Sequence, residues 1–136
     1  MKTKLSVTLA LALFFAFFLT SSTPDYNKQL VGKWCNPYTY ESSGEIKGFH
    51  FKKGGKCESI NIPTLDLKTW EVTDGKLIIT GFYIDENGVR SEYRTEERIE
   101  NITKDELIVI AKEKDPKLVF RYVPVKKVKK LTQSKE

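Results

Sequence analysis

Between residues 89 and 100 the chain sets Arg90, Glu92, Arg94, Glu96, Arg98 and Glu100 at every second position, with Val89, Ser91, Tyr93, Thr95, Glu97 and Ile99 between them. A period of two belongs to a β-strand, whose successive side chains leave opposite faces. A long row of alternating charges is stable only in water, so the other row must face inward. That places Tyr93, Thr95, Glu97 and Ile99 on a buried face and excludes a helix here. The preceding segment must be paired so that its apolar residues meet that face. For Ile79 and Tyr83 to do so, the connecting loop must hold an odd number of residues. Glu86-Asn87-Gly88, with Gly88 left-handed, meets the condition, whereas a two-residue Asn87-Gly88 turn would bury the Arg/Glu row.

The same alternation, closed each time by a turn signal, predicts eight strands: 32–36, 45–52, 56–62, 68–73, 76–84, 89–100, 106–112 and 117–123. Asp74-Gly75 is a two-residue hairpin signal that pairs Thr73 with Lys76, Val72 with Leu77 and Trp70 with Ile79, so the apolar members share one face. No connection is long enough for a crossover helix. Sequential strands with short links make an antiparallel meander, and eight can close on themselves and remove the exposed edges. The expected fold is all-β, an eight-stranded antiparallel up-and-down barrel over 30–124, preceded by an N-terminal signal helix.

Outside the barrel the chain changes character. Lys2 and Lys4 precede an apolar run at 5–19, and Thr20-Ser21-Ser22 supplies small residues before Thr23-Pro24, the pattern of a secretory signal peptide cleaved after Ser22. Fifteen helical residues span roughly 22 Å at ~1.5 Å each, short of a ~30 Å hydrocarbon core. The first cysteine, Cys35, lies beyond the end of that run, so a lipid anchor is not expected. The expected location is periplasmic or secreted, with no membrane span after cleavage. Of the formal net charge of +5, the leader carries +2 and the last twelve residues +4, leaving −1 on 23–124. A nearly neutral domain argues against nucleic-acid binding, which needs a basic face on the folded part. The basic stretch 125–136, with Lys126-Lys127-Val128-Lys129-Lys130, is expected to be a disordered tail, with a weak attraction to anionic surfaces. Residues 23–29 are polar and unpatterned and read as an N-terminal arm. Export makes a disulfide chemically accessible, and Cys35 and Cys57 are its candidates, the alternative being two separately buried thiols.

Catalysis finds little to work with. The one histidine, His50, lies between Phe49 and Phe51, which share a face, so the imidazole takes the other side. A lone histidine makes no metal site, and neither a phosphate-binding glycine loop nor a nucleophile elbow is present. No enzyme activity, metal or cofactor is expected. Glu97 stands out because a carboxylate on an apolar inner face costs several kcal/mol unless paired or wet. It is either a polar anchor in a ligand cavity, with Tyr83, Tyr93 and Thr95 near it, or a residue at the barrel's rim.

Leu30-Val31-Gly32-Lys33-Trp34 resembles the Gly-x-Trp signature that opens the first strand of lipocalins. Trp70-Glu71-Val72 before the Asp74-Gly75 turn, Leu77-Ile78-Ile79 after it, Ile102-Thr103 ahead of Leu107-Ile108-Val109, and Phe120-Arg121-Tyr122 near the end fit the same layout. Over roughly 29–124 the chain is similar to the short lipocalin-like domains of the calycin superfamily exported by Bacteroides-type bacteria. The resemblance implies that Gly32, Trp34 and Arg121 form the structural signature, with Arg121 stacked over the Trp34 indole in a cation–π contact. It also implies a small apolar or amphipathic ligand, walled by Trp70, Tyr83, Tyr93, Thr95, Glu97, Phe120 and Tyr122. The alternative is a protein-interaction barrel, such as a protease-inhibitor-type calycin, with a filled interior and the 23–29 arm entering a partner's cleft.

Overall fold

A computed structural model describes residues 25–133; the 1–22 leader lies outside the described residues. Eight strands are present: β1 Gly32–Cys35, β2 Gly48–Phe51, β3 Cys57–Ile60, β4 Leu65–Thr73, β5 Lys76–Ile84, β6 Arg90–Ile102, β7 Leu107–Lys112 and β8 Leu118–Pro124. Their order, β3-β2-β1-β8-β7-β6-β5-β4, is a meander in which the first strand pairs the last. Closure between β3 and β4 is partial. A bridge joins Lys56 to Thr69, the Trp70 amide donates to the Gly55 carbonyl at 2.9 Å, and the Ser59 hydroxyl donates to the Leu65 carbonyl at 2.7 Å. The result is a nearly closed eight-stranded antiparallel barrel, the fold expected from the sequence.

Both hairpins have the expected register. Trp70 faces Ile79, Val72 faces Leu77 and Thr73 faces Lys76, around a turn with Asp74 at φ 53° and Gly75 at φ 72°. The next loop holds Glu86, Asn87 and Gly88, with Gly88 at φ 79° and the Asp85 amide bonded to the Val89 carbonyl at 3.0 Å. The Asp85 carboxylate accepts from the Asn87 and Val89 amides at 2.8 Å each, fixing the loop length. Leu77, Ile79 and Gly81 consequently lie opposite Glu97, Thr95 and Tyr93.

Strand starts differ where the alternation breaks. β4 begins at Leu65 instead of 68, because a bulge at Lys68 returns Leu67 and Leu65 to the inner face. β2 begins at Gly48 instead of 45, and 37–43 before it is helical. The helices are α1 Tyr26–Leu30, α2 Pro37–Ser43 and α3 Val125–Gln133. In α2, the Asn36 side chain accepts from the Tyr38 and Thr39 amides, Pro37 opens the first turn, and Gly44 at φ 74° closes the last.

Two sequence expectations are corrected by α1 and α3. In the segment read as an N-terminal arm, 23–29, the residues from Tyr26 on are helical; Tyr26 packs on the core, and the helix ends in the fully buried Leu30. The stretch expected to be a disordered tail is helical over 125–133 and docks on the outer face. Val125 and Val128, three residues apart on one helix side, are buried against Cys35 and Val123, with Tyr40 of α2 beside them. Alternation puts Cys35 and Val123 outside the barrel, and this apolar patch is what gives a lysine-rich helix something to bury.

Candidate functional site

The barrel has a sealed floor and a more open wall. At the floor, Leu30, Trp34, Phe51, Cys57, Trp70, Leu77 and Leu107 pack together. The Trp34 indole donates to the Leu30 carbonyl at 2.8 Å, the Trp70 indole donates to the Lys52 carbonyl at 2.9 Å, and the Phe51 and Trp70 rings sit 5.4 Å apart. Beside the floor, the β6 and β8 wall leaves Tyr93, Thr95, Glu97, Phe120 and Tyr122 only partly buried, although all point inward. Glu97 and Tyr122 pair with the floor residues Leu77 and Leu107, and the other three lie farther along their strands. Phe49 of β2 joins them, its ring edge-on to Tyr122 at 5.3 Å, with Phe120 at 6.5 Å from the same tyrosine.

Strand pairing explains the access. β6 is thirteen residues long, but β7 pairs it only from Arg98 to Ile102. Among the described ladders the Arg90–Glu97 stretch of β6 is joined on its β5 side alone. Glu97 stands where this seam begins to open.

The electrostatics single out the same residue. Burial pushes the Glu97 carboxyl up to about 6, and among the described residues no ion pair or hydrogen bond relieves it. The Tyr93 and Tyr122 phenols are both held above their usual range, by burial first and then by the Glu97 charge, which places the three groups within electrostatic reach of one another. Thr95 Oγ1 is buried without a well-formed hydrogen bond. The inner wall therefore carries polar groups that lack full partners.

A raised carboxyl has a definite pH signature. The folded value lies above the unfolded 4.5, so this contribution to stability is fully present below about pH 4.5 and is lost as pH rises through about 6, by roughly 2 kcal/mol. Urea unfolding of wild type and Glu97→Gln at about pH 4.5 and about pH 7 measures it. The variant is expected to gain on wild type by that amount at the higher pH. Parallel profiles would show a solvated carboxylate.

The seven residues expected to wall a ligand divide. Tyr93, Thr95, Glu97, Phe120 and Tyr122 come together. Trp70 is buried in the floor. Tyr83 is on the inner face but at the rim, 45% exposed, opposite Leu65 and Ser91. Phe49 was missed, although sharing a face with buried Phe51 was its signal. Two further expectations are corrected. Arg121 does not cover Trp34. Trp34 pairs with Pro124, and three residues of alternation put Arg121 on the outer face, where its Nε donates to Glu106 at 3.1 Å. Cys35 and Cys57 do not pair. Both are free, Cys35 in the outer cluster and Cys57 in the inner core, on opposite faces of the sheet. Burial pushes both thiols up, Cys57 to about 12 with Glu58 adding to it. His50 lies on the outer face between Lys33 and Glu58, and among the described residues no cluster of three His, Cys, Asp or Glu could hold a metal ion.

A family model described as lipocalin-like matches residues 26–123. The chain is also similar to the crystal structure of a lipocalin-like protein from Bacteroides thetaiotaomicron VPI-5482, at 29% identity and a TM-score of 0.59, over 70% of this chain and 95% of that one. No curated protein matches it significantly. The lipocalin-like fold supports a protein of binding type. A meander barrel, a Gly-x-Trp first strand with its indole in the floor, and the matched span agree, and the chain belongs to the lipocalin-like family.

Proposed function

We propose that this is an exported, non-catalytic binding protein whose barrel takes a small apolar or amphipathic molecule, with the ligand's polar group turned toward Glu97. The observation that carries the reading is the partly buried inner wall of Tyr93, Thr95, Glu97, Phe120 and Tyr122 beside a packed floor. Eight-stranded barrels are wide enough to hold one small ligand. Aromatic rings supply apolar area, and an unpaired carboxylate favours a ligand that brings a hydrogen-bond donor. The protein-interaction reading is disfavoured, since α1 is packed under the barrel and not free to enter a partner.

Titration with the neutral fluorophore phenylnaphthylamine, whose N–H can donate to a carboxylate, tests this. Glu97→Leu is expected to fold as well as wild type or better, since an unpaired buried charge is removed. It should weaken the fluorophore about tenfold or more, the worth of a hydrogen bond to a charged group. Glu96→Leu, whose carboxylate pairs with Arg94 on the outer face at 2.5 Å, should do neither. Equal effects of the two variants would sink the site. For the export reading, mass spectrometry of the secreted protein should find its N-terminus at or within a few residues of Thr23, without lipid; a retained leader in membrane fractions would contradict it.

A further inference from the structure

Beneath the barrel, beside the floor and away from the inner wall, a cleft of about 590 Å³ opens between β1, the β6–β7 turn and α3. Lys33, Lys104, Lys126 and Lys129 line it, and Val31 and Pro124 supply apolar wall; no acidic side chain is among its lining residues. All four lysines are exposed, and among the described residues none has an ion-pair partner. They come from three separate elements, so the convergence is a product of the fold. Lys126 and Lys129 are three apart on α3 and share a side. Burial of Val125 and Val128 against the sheet holds that helix in place.

Four ammonium groups gathered around one cleft repel each other, and an anion among them relieves that repulsion. We propose that the cleft receives the phosphate headgroup of an anionic lipid at a membrane surface. Three observations favour a lipid over a free phosphate. Lys127 and Lys130 are exposed on the same helix, so the positive charge extends past what one small anion can use. The charge is also concentrated at this end, for residues 25–124 net −1 while 125–133 carry +4. Val31, 37% exposed at the cleft's edge, offers an apolar contact to the lipid just below its headgroup. The apolar side of α3 is already spent on the sheet, so the helix rests on the surface through its lysines and does not insert.

Co-sedimentation of the purified protein with vesicles tests this, using phosphatidylcholine with about a quarter phosphatidylglycerol against phosphatidylcholine alone. Binding is expected to the anionic vesicles and to weaken as salt is raised. Lys126→Ala/Lys129→Ala should reduce it about 25-fold, at about fivefold per lysine near the surface. Lys114→Ala/Lys117→Ala removes the same charge from the β7–β8 loop at the other end of the barrel, and should leave binding unchanged. Equal binding to both vesicle types, or equal loss in the two variants, overturns the proposal. So does displacement by inorganic phosphate beyond that caused by chloride at equal ionic strength, which would assign the cleft to a free anion.

Discussion

Trp34→Ala is expected to cost ~3–5 kcal/mol, the range for truncating a large buried aromatic. Its indole is 4% exposed within the floor cluster, and it does two jobs. The ring fills space between β1, β8 and β2, where Trp34 faces Pro124 and Phe49. The Nε1–H closes the Leu30 carbonyl at 2.8 Å, which anchors the last residue of α1 under the barrel. Alanine leaves a cavity and a buried carbonyl without its donor, and both penalties add. Against a total stability of ~5–15 kcal/mol for a domain of this kind, that is a large share. Urea unfolding is the measurement. A loss under ~1 kcal/mol would mean that the floor relaxes around the missing ring, contrary to its packing. Trp34→Phe should recover most of the volume but not the hydrogen bond, separating the two contributions.

Gly48→Ala is expected to be as damaging for one methyl group. Gly48 is inside β2, opposite Cys35 on β1 and Ile60 on β3. A Cβ there would collide with the Trp34 carbonyl oxygen and stand 2.7 Å from the Cys35 Cα. These are backbone atoms, so no side chain can rotate away. Relief requires β1 and β2 to separate where Trp34 meets Phe49, and the barrel's floor and the Phe49 side of the inner wall move with them. Overpacking ordinarily costs ~1–3 kcal/mol, and a backbone collision belongs at or above the top of that range. Thermal unfolding of Gly48→Ala beside Lys47→Ala, its neighbour, reads the difference. A Gly48→Ala melting temperature within a degree or two of Lys47→Ala would falsify the close approach.

The barrel was largely legible because its constraints are local or nearly so. Asp74-Gly75 and Glu86-Asn87-Gly88 set two hairpins, and the Arg90 to Glu100 row told inside from outside. Glu97 followed from parity alone. The departures have different causes. Lys68 bulges out of β4, and a bulge is a two-against-one count that only the partner strand reveals. The Asn36-Pro37 start and Gly44 stop of α2 were present in the chain but lay between two segments read as strand. Arg121 lies outside by the same alternation that sets Phe120 and Tyr122 inside, so strand parity outweighs the family expectation there. The Cys35–Cys57 pairing turned on the relative parity of β1 and β3, which the β1–β2 and β2–β3 registers set.

By itself, the sequence determined the strand count, the meander and the inner set Tyr93, Thr95, Glu97 and Ile99, because period-two patterning and turn chemistry act over a few residues and tolerate one register. Only the tertiary structure decided what those residues meet. That β7 pairs β6 from Arg98 onward, and so leaves Glu97 at an opening seam, depends on the lengths of two strands set by different loops. That the basic C-terminal segment is a helix depends on an apolar patch made by Val123, just before it, and Cys35, some ninety residues earlier on β1. Val125 and Val128 alone cannot offset the entropy of ordering a short helix. Burial of both against the barrel does, and it is this docking that brings Lys126 and Lys129 to Lys33 and Lys104.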